Sequence, residues 1–262
     1  MNVNASIPID DLARYLEAPA ELLPDLPMIL SYLDELGPSP KDVYDLMIGL
    51  DLPQNFKILD LGCGKGAIDI FLARQFNCSI RGIDAFPPFI DYAIKKAKDL
   101  KLDQVCEFEC NDIKKELKKT SQYDVVIFVS VGDIYGDYIQ TIGEIRKVIK
   151  PQGYLIIEDG FLRENRINRS EFHEYGSYSQ LIDQLSHFQD NIIKERLSST
   201  EEIINQNKHN NAALEKGANE LLKRYPEKEG LVKYYLEAQK RESQIIEQDL
   251  GIGLWVIQKG LN

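Results

Sequence analysis

The chain has 262 residues, 44% hydrophobic and 28% charged, with a formal net charge of −11. That is ordinary globular usage, long enough to bury a sizeable core, and the acidic surplus works against a nucleic-acid partner, which needs a basic footprint. No early stretch joins a basic start to a long apolar core, and no run reaches the roughly 18 apolar residues of a membrane span, so a cytoplasmic chain without a membrane partner is expected.

The first 55 residues carry a helical pattern. Apolar residues recur at three-to-four spacing over 8–18, 22–36 and 40–50, with prolines near the starts. Ser39-Pro40 reads as an N-cap followed by proline at the first helical position.

From Phe56 the period changes to alternating strand and helix. Strands are expected at 56–61, 78–84, 104–110, 123–129 and 154–157, the last opened by a Pro151-Gln152-Gly153 turn. Helices fall between them at 68–75, 88–100, 113–119 and 138–149. This order implies an α/β, doubly wound, mostly parallel sheet. After Gly160 the rhythm breaks into a helix at 178–188, a strand at 191–197, two long polar helices across 200–248 parted near Tyr225-Pro226, and a strand at 253–257. The expected organisation is an N-terminal helical cap (1–55), a core (56–199), a helical insertion (200–248) and a closing strand of the core (249–262). The insertion and the cap together could roof an acceptor pocket. Cys63, Cys78, Cys106 and Cys110 lack metal-site spacing, so they read as free thiols and no metal is expected.

Chemistry concentrates at Asp60-Leu61-Gly62-Cys63-Gly64-Lys65-Gly66-Ala67. A buried strand closes on an acid, a glycine-rich turn lets the backbone approach a ligand, and a helix start points unpaired N–H groups at it. No P-loop pattern is present. Gly62 to Ala67 formally satisfies the dinucleotide fingerprint G-x-G-x-x-A, so an NAD-linked oxidoreductase is one reading. Asp60 speaks against it, because a carboxylate there would repel a pyrophosphate and suits a ligand with a positive centre. Asp84, about 20 residues beyond the loop, can accept hydrogen bonds from ribose hydroxyls in either case.

Asp60 to Gly66 resembles the D-x-G-x-G-x-G signature of class I S-adenosylmethionine (SAM) methyltransferases, and Pro151-Gln152-Gly153 resembles that family's P-x-G turn. The resemblance implies a Rossmann-like seven-stranded sheet, mostly parallel with an antiparallel last strand, with the usual tight final connection replaced here by about fifty residues of helix. It implies SAM as cofactor, leaving S-adenosylhomocysteine (SAH), and a site of Asp60, Gly62, Cys63, Gly64, Asp84, Ala85, Asn111, Asp112, Ile113 and Ser130. Asp112 would accept from the adenine amino group and Ile113 flank the ring, although Asp112 could simply cap the helix that follows.

In that family the end of this strand faces the acceptor, and members that methylate base or amide nitrogen often carry N/D-P-P-Y there; Val129-Ser130-Val131-Gly132-Asp133 departs from it, so the resemblance favours a small-molecule acceptor. Transfer to O, N or S needs mainly in-line alignment, with a base only where the acceptor loses a proton. Asp133, Asp159 and His173 are the catalytic candidates, with Tyr135 and Tyr175 behind them. The resemblance also admits a homodimer, or a catalytically silent SAM-binding protein.

Overall fold

The computed structural model describes residues 6–132, 134–163 and 175–261. Seven strands, β1 (Phe56–Leu61), β2 (Cys78–Asp84), β3 (Cys106–Cys110), β4 (Tyr123–Phe128), β5 (Ile149–Leu162), β6 (Asn191–Leu197) and β7 (Leu250–Gln258), form one sheet in the order β3-β2-β1-β4-β5-β7-β6. The helices are α1 (Ile9–Tyr15), α2 (Leu26–Ile29), α3 (Pro40–Met47), α4 (Ala67–Gln75), α5 (Pro87–Asp99), α6 (Ile113–Glu116), α7 (Tyr138–Lys147), α8 (Tyr178–Leu185), α9 (Thr200–Arg224) and α10 (Glu229–Asp249). The sheet is mostly parallel with antiparallel pairing among its last strands, the Rossmann-like arrangement expected.

The chain gathers into two compact units. One, from residues 35–159, 179–196 and 253–262, holds most of the sheet. Its central strands are apolar because both faces are covered: every residue of β4 is buried, and Lys57 is the one exposed position of β1. Parallel register aligns Ile58 with Ile80 on one side and Val125 on the other, so the carboxyl ends of β1, β2 and β4 finish along one edge. Strand order reverses between β1 and β4, the crevice where such sheets bind ligands. A core of Val43, Ile58, Ile80, Val125, Ile127, Ile156 and Val256 lies against the sheet, and a second cluster joins Ile70, Ile90, Ala93 and Phe108.

Two local expectations need correction. Residues 22–36 are not one helix: a 3-10 turn at Ala20–Leu22, α2, and another 3-10 turn at Leu30–Tyr32 take their place. Pro24 and Pro27 remove the amide donors a continuous helix would need, while Leu22, Leu23, Leu26 and Ile29 are buried all the same. Pro151-Gln152-Gly153 does not precede β5 but bulges within it. Pairing with β4 jumps from Tyr123↔Ile149 to Val125↔Tyr154, and Gln152 takes φ +62°.

The other unit comprises residues 1–34, 160–178 and 197–252. Here α9 begins with a capping box, Ser199 and Glu202 each bonding the other's backbone amide, and α10 returns alongside it. Between the two, Asn207 donates to Glu247 at 3.1 Å and Asn211 to Ser243 at 3.0 Å. Helix α9 meets α2 backbone to backbone at Gly217, where an added Cβ would fall 2.0 Å from the Ile29 carbonyl oxygen. Gly217→Ala is therefore expected to destabilise this unit by about 2 kcal/mol, the cost of overpacking. A lowered Tm and faster limited proteolysis within α9 would show it; an unchanged melt would mean the contact yields.

Candidate functional site

The turn after β1 is held to β2 by its own amides. Gly62 and Cys63 both donate to the Ile83 carbonyl, at 2.8 and 3.0 Å. Gly64 donates to Asp84 Oδ2 at 2.9 Å, and Phe86 donates to Oδ1 of the same carboxylate at 2.8 Å. Asp84 is thus a clamp on the loop as well as an acid at a strand end. The loop glycines take φ of +88°, +52° and +72°, left-handed backbone that costs other residues roughly 1–2 kcal/mol each. Space demands glycine too: a Cβ on Gly62 would lie 2.4 Å from Val131, and one on Gly66 2.7 Å from the Phe108 ring. Gly66 leads directly into α4.

Beneath this turn lie two carboxyls. Asp60 is 1% and Asp69 0% exposed. Oδ1 of Asp60 and both oxygens of Asp69 are sealed from solvent and lack a well-formed hydrogen bond from any other side chain. A proton held between the acids is what can satisfy them. Burial, then the Asp69 charge, holds Asp60 well above the ordinary carboxylate range. Burial pushes Asp69 up to about 7, against the pull of its hydrogen bond with Asp60. Asp84 is raised to about 6 by burial, opposed by the amides of Phe86, Gly64 and Ala85.

The third expected contact point is braced from below. Arg81 of β2 reaches Glu116 at 3.0 Å, Glu107 at 2.5 Å, and Glu109. Glu116, almost fully buried, also accepts from Asn111 Nδ2 at 3.3 Å. The Asn111 side chain is thereby engaged locally, its Oδ1 accepting from the Asp112 amide. Asp112 caps α6, Oδ1 accepting from the Lys114 amide at 2.8 Å, and Ile113 is half-buried beside it.

At the end of β4, Ser130 takes φ +55° and donates through Oγ to Glu158 Oε2 at 2.6 Å. Glu158 keeps some accessible surface, yet the protein packed around it pushes its carboxyl up to about 7. Asp159 is the next residue of β5 and adds to that rise. Tyr135 lies half-buried, its ring 5.2 Å from the Lys114 ammonium. Tyr175 belongs to the other unit, where its ring packs over Gly160. Asp133 and His173 lie outside the described residues.

The site therefore joins Asp60, Gly62, Cys63, Gly64, Asp84 and Ala85 around one turn, with Asn111, Asp112 and Ile113 at the end of the neighbouring strand and Ser130 at the tip of β4. Two acids escaped the sequence reading. Asp69 stands between Ile68 and Ile70 in the first turn of α4, an acid in an apolar helix start. Glu158 lies in β5 four residues before its end, next to the Asp159 that drew attention instead.

A family model described as a methyltransferase domain matches residues 52–217. The chain is 32% identical over 141 residues to a 2-methyl-6-phytyl-1,4-hydroquinone methyltransferase of Synechocystis sp., covering 53% of this chain and 43% of that protein. It is 32% identical over 110 residues to phosphoethanolamine N-methyltransferase 3 of Arabidopsis thaliana, covering 42% of this chain and 22% of that one. The chain thus spans half or less of the length of these curated relatives. Among solved structures, a SAM-dependent methyltransferase from Geobacter sulfurreducens in complex with SAH shares the fold, with TM-score 0.75 at 18% identity over 89% of this chain and 97% of that one.

The buried acids make stability depend on pH. Between about pH 4 and 7 the folded protein holds the Asp69 proton while the unfolded chain has released it, so stability falls as pH rises through that window. Asp69→Asn, neutral throughout, is expected to spare about 3 kcal/mol of the loss the native protein suffers between pH 5 and pH 8. Thermal melts of both proteins at the two pH values measure this, and parallel losses would refute it.

Proposed function

The chain belongs to the methyltransferase-domain family, and from that premise we propose that it binds SAM on the Gly62–Ala67 turn and transfers the methyl group by in-line displacement to O, N or S of a small-molecule acceptor. The observation carrying this reading is the glycine turn clamped to Asp84 above a buried acid pair. Its crowded glycines suit close backbone approach, and the acid donor set suits a ligand with a positive centre. In this reading Asp84 accepts from the ribose hydroxyls, Asp112 and Ile113 meet the adenine, and Asp60, buried under the turn, supports the loop at the methionine end. When bound, the cofactor supplies a methyl group already activated by its sulfonium. The protein's part is to hold donor and acceptor in line and exclude water.

Dinucleotide binding is the weaker alternative, because the family model that matches the chain is a methyltransferase domain. The relatives' names point to a hydroquinone in one case and phosphoethanolamine in the other, so the family alone leaves the acceptor atom open. Net charge −11 favours a small molecule over nucleic acid. Free thiols at Cys63, Cys78, Cys106 and Cys110 fit a reducing cytoplasm, and a homodimer completes the reading.

Calorimetry with SAM, SAH and, as control, NADH tests the cofactor. SAM and SAH are expected to bind and NADH not; binding of NADH alone would reverse the reading. Asp84→Asn is expected to weaken SAH about 10- to 100-fold, the range for a lost charge-assisted hydrogen bond. In the native protein SAH affinity should drop as pH falls below about 6, where Asp84 takes up a proton and loses accepting capacity. PH-independent affinity between 5 and 7.5 would remove Asp84 from the ribose role.

A further inference from the structure

Ser130, just beyond β4, lies beside Glu158 of the adjacent strand β5. Phe128 pairs with Ile157, so register sets Glu158 level with Val129 and Asp159 level with Ser130. Strict alternation would therefore turn Ser130 toward the face of Asp159. The left-handed backbone at Ser130 breaks that alternation, and its hydroxyl donates to Glu158 instead. Gly37 lies on the other side, where a Cβ would stand 2.7 Å from Ser130 Oγ, so the absence of a side chain there leaves the hydroxyl its room.

A hydroxyl that has donated its single hydrogen has only lone pairs to offer a further partner. Whatever meets Ser130 Oγ next must bring an N–H or O–H. The charged groups around Glu158 are Asp159 of β5, Asp42 of α3 and Arg196 of β6, the last engaged by Asp42 at 3.1 Å. Burial dominates and, with the two acids, outweighs Ser130 and Arg196, leaving the Glu158 carboxyl at about 7, where it exchanges a proton in neutral solution.

Given the methyl-transfer reading above, on which this rests, we propose that Glu158, acting through the Ser130 hydroxyl, takes the proton released by a protic acceptor, one presenting N–H or O–H to the methyl group. As the acceptor N–C or O–C bond forms and the sulfonium S–CH3 bond breaks, the acceptor hydrogen passes to Ser130 Oγ. The serine hydrogen passes to Glu158 Oε2, and the resulting neutral carboxyl later yields the proton to solvent. Glu158 is a positioning residue in this relay. Thioethers, which have no proton to give, are poor acceptors.

The test begins with SAH calorimetry on the native protein and on Glu158→Gln, which keeps an acceptor for Ser130 but cannot take the proton. Equal affinities are expected, and failure of the native protein to bind SAH would defeat the cofactor reading itself. Labelled methyl transfer from SAM is then followed with a panel of primary amines, secondary amines, phenols and dimethyl sulfide. Turnover is expected on N–H or O–H members, with kcat rising through about pH 7. E158Q is expected to lower kcat about 100-fold and abolish that limb, within the usual range for lost base catalysis. With SAH bound normally, the proposal is overturned by native-like rate and pH dependence in E158Q, by preference for dimethyl sulfide, or by no turnover across the protic panel.

Discussion

One carboxylate sits where two demands meet. Asp84 caps the end of β2, where its oxygens take the Gly64 and Phe86 amides, and in the proposed reading the same oxygens also meet the cofactor's ribose. The glycine turn has little of its own to hold it in place. Its glycines adopt left-handed backbone, and its shape is borrowed from β2 through the Ile83 carbonyl and the Asp84 carboxylate. Three backbone amides reach the two carboxylate oxygens, which between them offer about four lone-pair sites. Positioning the loop and meeting a ligand are thus compatible, and the geometry of one fixes the geometry of the other.

Four acids gather under and around the turn. Asp60, Asp69, Asp84 and Glu158 all have carboxyls raised above the ordinary range, each with burial as the leading cause. Arg81 is taken up by Glu107, Glu109 and Glu116, a scaffold role. Keeping acids buried and partly protonated has a cost that grows as the solution becomes alkaline.

Much of this was legible in the sequence, for reasons that differ by element. The parallel core could be read because β1 and β4 are covered on both faces and so become near-continuous apolar runs. The glycine turn and Asp84 could be read because backbone geometry leaves few substitutes. The N-terminal segment misled: Leu22, Leu26, Ile29 and Leu33 keep helical spacing, but Pro24 and Pro27 break the hydrogen bonds while burial preserves the apolar pattern. The Pro-Gln-Gly turn misled because the same residues serve a bulge, and only the register with β4 separates the two. Asp69 and Glu158 were missed because their significance lies in what surrounds them in three dimensions.

The α9–α10 hairpin has a consequence for how the protein forms. Strand β7 is the last of the seven to be synthesised, yet it lies inside the sheet between β5 and β6. The earlier strands can pair in order as they emerge, but the β5 and β6 edges that flank β7 stay open until the hairpin has been made. Closing a flexible connection of about fifty residues would cost on the order of 3.5 kcal/mol in chain entropy. Two helices running out and back bring β6 and β7 together as a local event, so a long-range pairing behaves kinetically like a short one. Until then the unpaired edges are the exposed, association-prone surface of the nascent chain.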